Sequence, residues 1–351
     1  MQVHTYPIEA RIQWLINLSR KHSELFCSPA ASLARDRYLA RHSTRIAVLK
    51  CMDGRIHIPH ATCTPLGIIR PFRNLGGRFD LGWPFLGKLI AEMAQDAASA
   101  GHRVLLMITY HLSKGACSRG CAGFDYDTGA AIAHTRQIRA QAEALFGRDR
   151  QQVYPLVCGF ETDTDALIIH GDRDEVLDIS QLETGNAADL EGLLMPVCPD
   201  MPAEVRRDLL PLLEGNLAHV QSLRGVAREL DIQHREWAIC VGRGFDFLHV
   251  PNTALIIGPY SPDLSTPVHK AAGIIEDNMA AGRIPDDGFM LLTSAPYEEI
   301  GPDRARAMLE SRFLTDFARE VIRKDFPDLA RRMVPHTAVV NWRTRGLELL
   351  D

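Results

Sequence analysis

The spacing of apolar residues changes repeatedly along this chain, and each change marks an element. Ile8, Ile12, Leu15, Leu18 and Leu25 recur at helical intervals, with Pro7 placed for the first turn. A second helical stretch runs from Ser32 to His42. Arg45 to Lys50 (RIAVLK) then reads as a short buried strand that ends on Cys51. Leu66 to Phe72 is a second strand, closed by the turn Arg73-Asn74-Leu75-Gly76-Gly77. Trp83 to Ala100 is helical, and Arg103 to Tyr110 (RVLLMITY) is a third buried strand ending on His111. A Gly/Ser/Cys-rich loop leads to Cys121, a helix covers Ala130 to Phe146, and Val153 to Phe160 is a fourth strand. Strands that alternate with helices predict an α/β fold with a mainly parallel sheet flanked by helices.

The second half repeats this order. Ile68 to Phe72 (IIRPF) matches Ile256 to Tyr260 (IIGPY), and Val104 to Tyr110 (VLLMITY) matches Phe289 to Ala295 (FMLLTSA). The helix Ala130 to Phe146 matches Arg304 to Ile322. These separations are nearly equal, which favours a duplicated domain. Four segments follow: a helical amino-terminal arm at 1–44, a first α/β domain at 45–188, a Leu/Glu/Arg-rich helical connector at 189–227, and a second copy at 228–351.

Composition narrows the function. Of 351 residues, 46% are hydrophobic and 24% charged, and the formal net charge is -5, so no basic surplus points to a nucleic-acid partner. No apolar run approaches the ~18 residues of a membrane span. Glu9 and Arg11 interrupt any signal-peptide core, so a cytoplasmic protein is expected. Eight cysteines in such a chain point to metal or catalysis, or to packing, before disulfides.

The candidate chemistry lies in Cys51-Met52-Asp53-Gly54-Arg55. In extended chain, alternate residues face the same way, so the thiol, carboxylate and guanidinium share one side at the carboxyl end of a strand. Open α/β sheets place ligands at that edge. A thiolate there can bind zinc, and His111 ends the neighbouring strand. The third ligand is Cys121, with Cys117 as its rival. Two thiolates and an imidazole neutralise Zn²⁺ and leave a fourth position open, as catalytic zinc requires. Asp53, paired with Arg55, is expected to stay ionised and to accept a hydrogen bond from the reacting water.

Those residues resemble the β-class carbonic anhydrases. CMDGR matches that family's Cys-x-Asp-x-Arg signature, and Ile69 to Gly77 (IRPFRNLGG) is similar to its strand and RNAGG-like turn. The long gap from His111 to Cys121 departs from the family's His-x-x-Cys and is similar to the carboxysome shell branch. Tyr110-His111-Leu112-Ser113, Gly120-Cys121-Ala122 and the TDTDA run Thr162 to Ala166 fit that branch too. The resemblance covers about residues 45 to 351. It implies a duplicated β-carbonic-anhydrase-like fold whose second copy lacks metal. In the second half His111 falls opposite Pro296, and Cys51 falls near Cys240 with Asp53 near Val241 or Gly242.

The resemblance further implies reversible hydration of CO2 to bicarbonate by zinc-bound hydroxide, with Cys51, His111 and Cys121 as zinc ligands and Asp53 and Arg55 as catalytic residues. It implies a bacterial cytoplasmic homo-oligomer, a dimer or higher, with carboxysome components as candidate partners. The short amino-terminal region argues against carboxysome attachment. Two alternatives stand beside this reading: hydrolysis of CS2 or COS on the same fold, and a non-catalytic zinc-binding scaffold. Each ligand also has a plainer reading as a core residue, and Asp53–Arg55 as a surface ion pair. His57 and His60 are expected as proton relays or loop residues, and Asp163 and Asp165 as turn or capping acids.

Overall fold

A computed structural model describes residues 2–183, 189–228, 232–248, 250 and 252–350. The expected boundary at 188 lies in 184–188, outside the described residues. The chain divides into two compact units. One comprises Leu33–Cys51 and Ile56–Glu229; the other comprises Met1–Ser32, Met52–Arg55 and Leu230–Asp351. These units interleave along the chain, whereas the four expected segments are consecutive.

The first sheet has six strands among the described residues, in the order β2-β1-β3-β4-β5-β6. They are β1 (Arg45–Cys51), β2 (Ile69–Asn74), β3 (Val104–Leu112), β4 (Val153–Glu161), β5 (Ala166–His170) and β6 (Val176–Asp178). The first four run parallel, while β5 and β6 are antiparallel additions. From its second residue on, β1 is buried throughout, as is all of β4, so neither alternates polar with apolar. That pattern belongs to strands covered on both faces. Each fully buried Val, Leu or Ile there contributes about 1.5–3 kcal/mol of transfer free energy. The helices that complete this unit include α3 (Ile58–Ala61), α4 (Pro84–Ser99), α5 (Thr128–Phe146), α6 (Leu190–Leu194) and α7 (Ala203–Leu223). The Asp127 carboxylate caps α5 by accepting from the Ala130 N–H at 3.0 Å.

The second sheet has the order β11-β10-β9-β7-β8. Its strands are β7 (Ala238–Gly242), β8 (Ala254–Ile257), β9 (Phe289–Tyr297), β10 (Met333–Asn341) and β11 (Leu347–Leu349). Again four are parallel and the last is antiparallel. Helix α1 (Ile8–Cys27) belongs to this unit and packs on β9 and β11. Its fully buried Arg11 pairs with Asp287 and lies 5.4 Å over the Trp237 ring. The helices Ser265–Ala280 and Pro302–Asp325 complete the layer.

The two sheets therefore share one strand order, β2-β1-β3-β4-β5 against β8-β7-β9-β10-β11, which is consistent with duplication. Their hydrogen-bond register corrects one expectation. Ile46 stands beside Leu105 in the first sheet, as Ala238 stands beside Met290 in the second. Setting Val104 on Phe289 keeps His111 on Pro296 but puts Cys51 on Arg243, three positions beyond Cys240. The apolar runs of β2 and β8 look alike at neighbouring positions, so matching them by sequence alone allowed the slip.

Candidate metal centre

Cys51 is the last residue of β1, and His111 lies one residue before the end of β3. β3 continues through Leu112, so the histidine is inside the strand and not just beyond it. Cys121 follows Gly120 in extended conformation and opens a single 3-10 turn, Ala122–Phe124, with α5 starting only at Thr128. All three residues are buried, and one ligand atom from each lies within 4.8 Å of the other two. Cys117 is exposed and stands outside this group.

Several local contacts hold Cys51 and Cys121 where they are. Gly76 adopts φ +64°, and a side chain on Gly123 would collide with its backbone, so the Leu75–Gly77 turn and the Cys121 loop touch main chain to main chain. The long loop from His111 to Cys121 is pinned by Asp163. Its carboxylate accepts from the Ser113 hydroxyl at 2.8 Å and the Gly115 N–H at 2.7 Å, and pairs with Arg119 at 3.1 Å. Burial acts to raise the Asp163 carboxyl, but those donors hold it below its ordinary range. The turn acid expected from sequence thus organises the loop that leads to Cys121. Asp165 instead pairs with His219 and Arg228. His57 caps α3, its Nδ1 accepting from the His60 N–H at 3.2 Å.

Two buried cations, Lys50 at the end of RIAVLK and Arg73 at the head of the RNLGG turn, fix the end of β1. Lys50 donates to the Ile56 carbonyl at 3.1 Å. Arg73 donates to the carbonyls of Cys51 at 3.3 Å and Ile56 at 3.0 Å. Together they tie the chain on either side of Met52–Arg55.

The trio fits a metal ion. Both His111 ring nitrogens are buried, and among the described residues neither has a hydrogen-bond partner beyond the neighbouring Cys51 thiol, a weak one for an imidazole that serves only as filling. The Cys51 thiol is pushed well above its ordinary range, first by its hydrogen bond with Cys121, then by burial and the charge of Cys121, with His111 acting the other way. Two buried thiols this close resist joint ionisation unless a cation takes the place of their protons. A soft N/S donor set of this kind suits zinc.

Asp53 and Arg55 form a second cluster, within the other unit. Arg55 grips Asp53 through its backbone N–H at 2.9 Å, its Nε at 3.0 and 3.1 Å, and its Nη2 at 2.6 Å. Both residues are buried, so this is not a surface ion pair. Gly54 between them packs on β8, where any Cβ would strike the Ala254 carbonyl oxygen. The Ile256 N–H donates to the Met52 carbonyl at 2.7 Å, and Asp53 bridges to Leu255. The cluster also holds His234 and Glu236, which sequence reasoning missed. One ligand atom each from Asp53, His234 and Glu236 lies within 4.8 Å of the others.

Among the described residues, no helix is long and apolar enough to cross a membrane. No protein-family model matches this chain. No curated protein matches it either. Among solved structures, the chain is similar to the carbonic anhydrase from Streptococcus mutans, with 20% identity over 37% of this chain and 82% of that one and a TM-score of 0.26.

Proposed function

We propose that this chain is a zinc-dependent carbonic anhydrase of the β type, which hydrates CO2 reversibly to bicarbonate. The observation that carries this reading is the buried Cys51–His111–Cys121 trio, with one ligand atom of each within 4.8 Å of the others. Cys51, His111 and Cys121 would hold a zinc ion, which would supply the Lewis acidity that lowers a water's pKa to about 7. Cys51, His111 and Cys121 contribute no proton of their own, because the thiols bind deprotonated and the imidazole binds neutral. Met52 alone separates Asp53 from Cys51 along the chain. The Asp53 carboxylate accepts the hydrogen of the reacting water, which aims a lone pair at the CO2 carbon. Arg55 keeps that carboxylate turned and charged through its fork of hydrogen bonds. In this reading the second sheet is the metal-free copy, and association of chains into a homo-oligomer is part of the proposal.

The test is metal analysis together with stopped-flow CO2 hydration on the wild type and Cys121→Ser. The reading expects zinc and hydration in the wild type and loss of both in the variant. A zinc-loaded wild type that does not hydrate CO2 at any pH would overturn it and leave the non-catalytic zinc protein.

A further inference from the structure

Arg55 reaches past Asp53. Its Nη1 donates to the Ile232 carbonyl at 2.6 Å, and its Nη2 lies 3.1 Å from Nε2 of His234. A guanidinium has only hydrogens to offer, so Nε2 must present a lone pair. The proton of the neutral ring therefore sits on Nδ1, which faces the Glu236 carboxylate at 3.0 and 3.3 Å. Glu236 is completely buried. It accepts a further bond from the Asn278 side chain at 3.3 Å, and that same amide also donates to the Glu236 backbone carbonyl at 3.0 Å. The chain of donors runs one way, from His234 to Glu236 at one end and from Arg55 to Asp53 and His234 at the other.

In this order the cluster with metal-type spacing already holds a cation, the Arg55 guanidinium. The guanidinium already occupies the place of the cation, bound to two of the three groups that could ligate one. An imidazolium at 234 would set N–H against N–H at Arg55, so the contact requires the Nδ1–H tautomer, and Glu236 selects it.

We propose that His234, with its tautomer fixed by Glu236, is a positioning residue that locks the Arg55 fork onto Asp53. The proposal rests on the carbonic anhydrase reading for its effect on catalysis, but not for the hydrogen-bond order itself. His234 acts through Arg55 and needs no contact with substrate.

The experiment uses the full-length, zinc-loaded chain and three proteins: wild type, His234→Leu and His234→Gln. Leucine fills the space without an acceptor, whereas the glutamine Oε1 reaches the position of Nε2. His234→Leu is expected to lower kcat for CO2 hydration about tenfold, the scale of lost outer-shell partners, with zinc content and KM little changed. His234→Gln is expected to recover most of the loss. Nitrogen-15 NMR of the wild type is expected to show Nδ1 protonated and Nε2 bare, with the Arg55 Nε–H protected from exchange and less so in His234→Leu. A zinc-loaded His234→Leu with wild-type kcat, or a proton on Nε2, overturns the proposal. If the wild type hydrates no CO2 at all, the functional reading fails, and the tautomer and the Arg55 exchange still decide the positioning role.

Discussion

At the carboxyl end of its central strands, the first sheet buries two thiols and an imidazole. The second sheet, with the same strand order, opens there into a cavity of about 410 Å³ lined by Arg243, Pro296, Tyr297, Glu299, Arg306 and Trp342. By register, Arg243 and Pro296 stand where Cys51 and His111 stand. The backbone plan is thus common to both edges, and at two matched positions a thiol and an imidazole in the first sheet correspond to a guanidinium and a proline in the second. Pro296 can sit in β9 because β7 makes its last pairing at Gly242–Ser294, so no ladder bond on that side needs its missing N–H. Arg243 does not point into a dry site but lies 5.2 Å over the Trp342 ring, which also carries Arg345 at 3.7 Å.

The strongest way to break this contrast is to move the imidazole. His111→Ala is expected to drop bound metal from about one ion per chain to near none, since catalytic zinc rarely survives with two protein ligands. Pro296→His is expected to add none, because no thiol stands beside it. Metal analysis after dialysis reads both, and a second equivalent in Pro296→His would erase the distinction. Next in size is Gly54→Val. Its side chain must displace the Ala254 backbone, so we expect a loss of about 1–3 kcal/mol in urea unfolding. Unchanged stability would show that Met52–Arg55 does not lie on β8. Smaller again is Trp342→Leu, which removes the ring under two arginines and is expected to cost about 0.5–1 kcal/mol with bound metal unchanged. A fall in metal content would mean that the second edge supports the first.

The smallest effect is a pH dependence of the first edge. The Asp163 carboxyl pKa is lowered in the folded protein, so its contribution is fully present above the unfolded carboxyl value of about 3.9. It is lost as pH falls through the lower folded value, and Asp163→Asn should remove that acid-side decline. An identical acid unfolding profile for the two proteins would show that the Ser113–Arg119 loop stands without this carboxylate.

Much of this was legible in the sequence, for physical reasons. RIAVLK and RVLLMITY are apolar enough to be buried on both faces, and they sit at the strands observed. The alternation in CMDGR puts a thiol and a paired carboxylate at a strand end, RVLLMITY leads to His111, and the Gly-Cys-Ala step ahead of a helix singles out Cys121. What stayed hidden depends on separations that no local pattern records. The antiparallel return of β5 beside β4 follows from a turn built by Glu161, whose carboxylate accepts from the Asp163 and Thr164 N–H groups at 3.0 Å. Lys50 and Arg73 look like surface charges until their carbonyl partners are known. His234 and Glu236 stand in no motif, because their meaning comes from Arg55, 179 residues earlier in the case of His234. The slip from Arg243 to Cys240 shows the same limit: a run such as ALII fits its counterpart at more than one register.

That separation has a consequence in time. A ribosome adds about 5–20 residues per second, so some ~9–36 s pass between the synthesis of Arg55 and that of His234. During that interval the emerging chain already carries Cys51, and later His111 and Cys121, while Arg55 waits for the imidazole that completes its bonds. A nascent polypeptide halted before residue 234 would already carry Cys51, His111 and Cys121 but not the imidazole that meets Arg55.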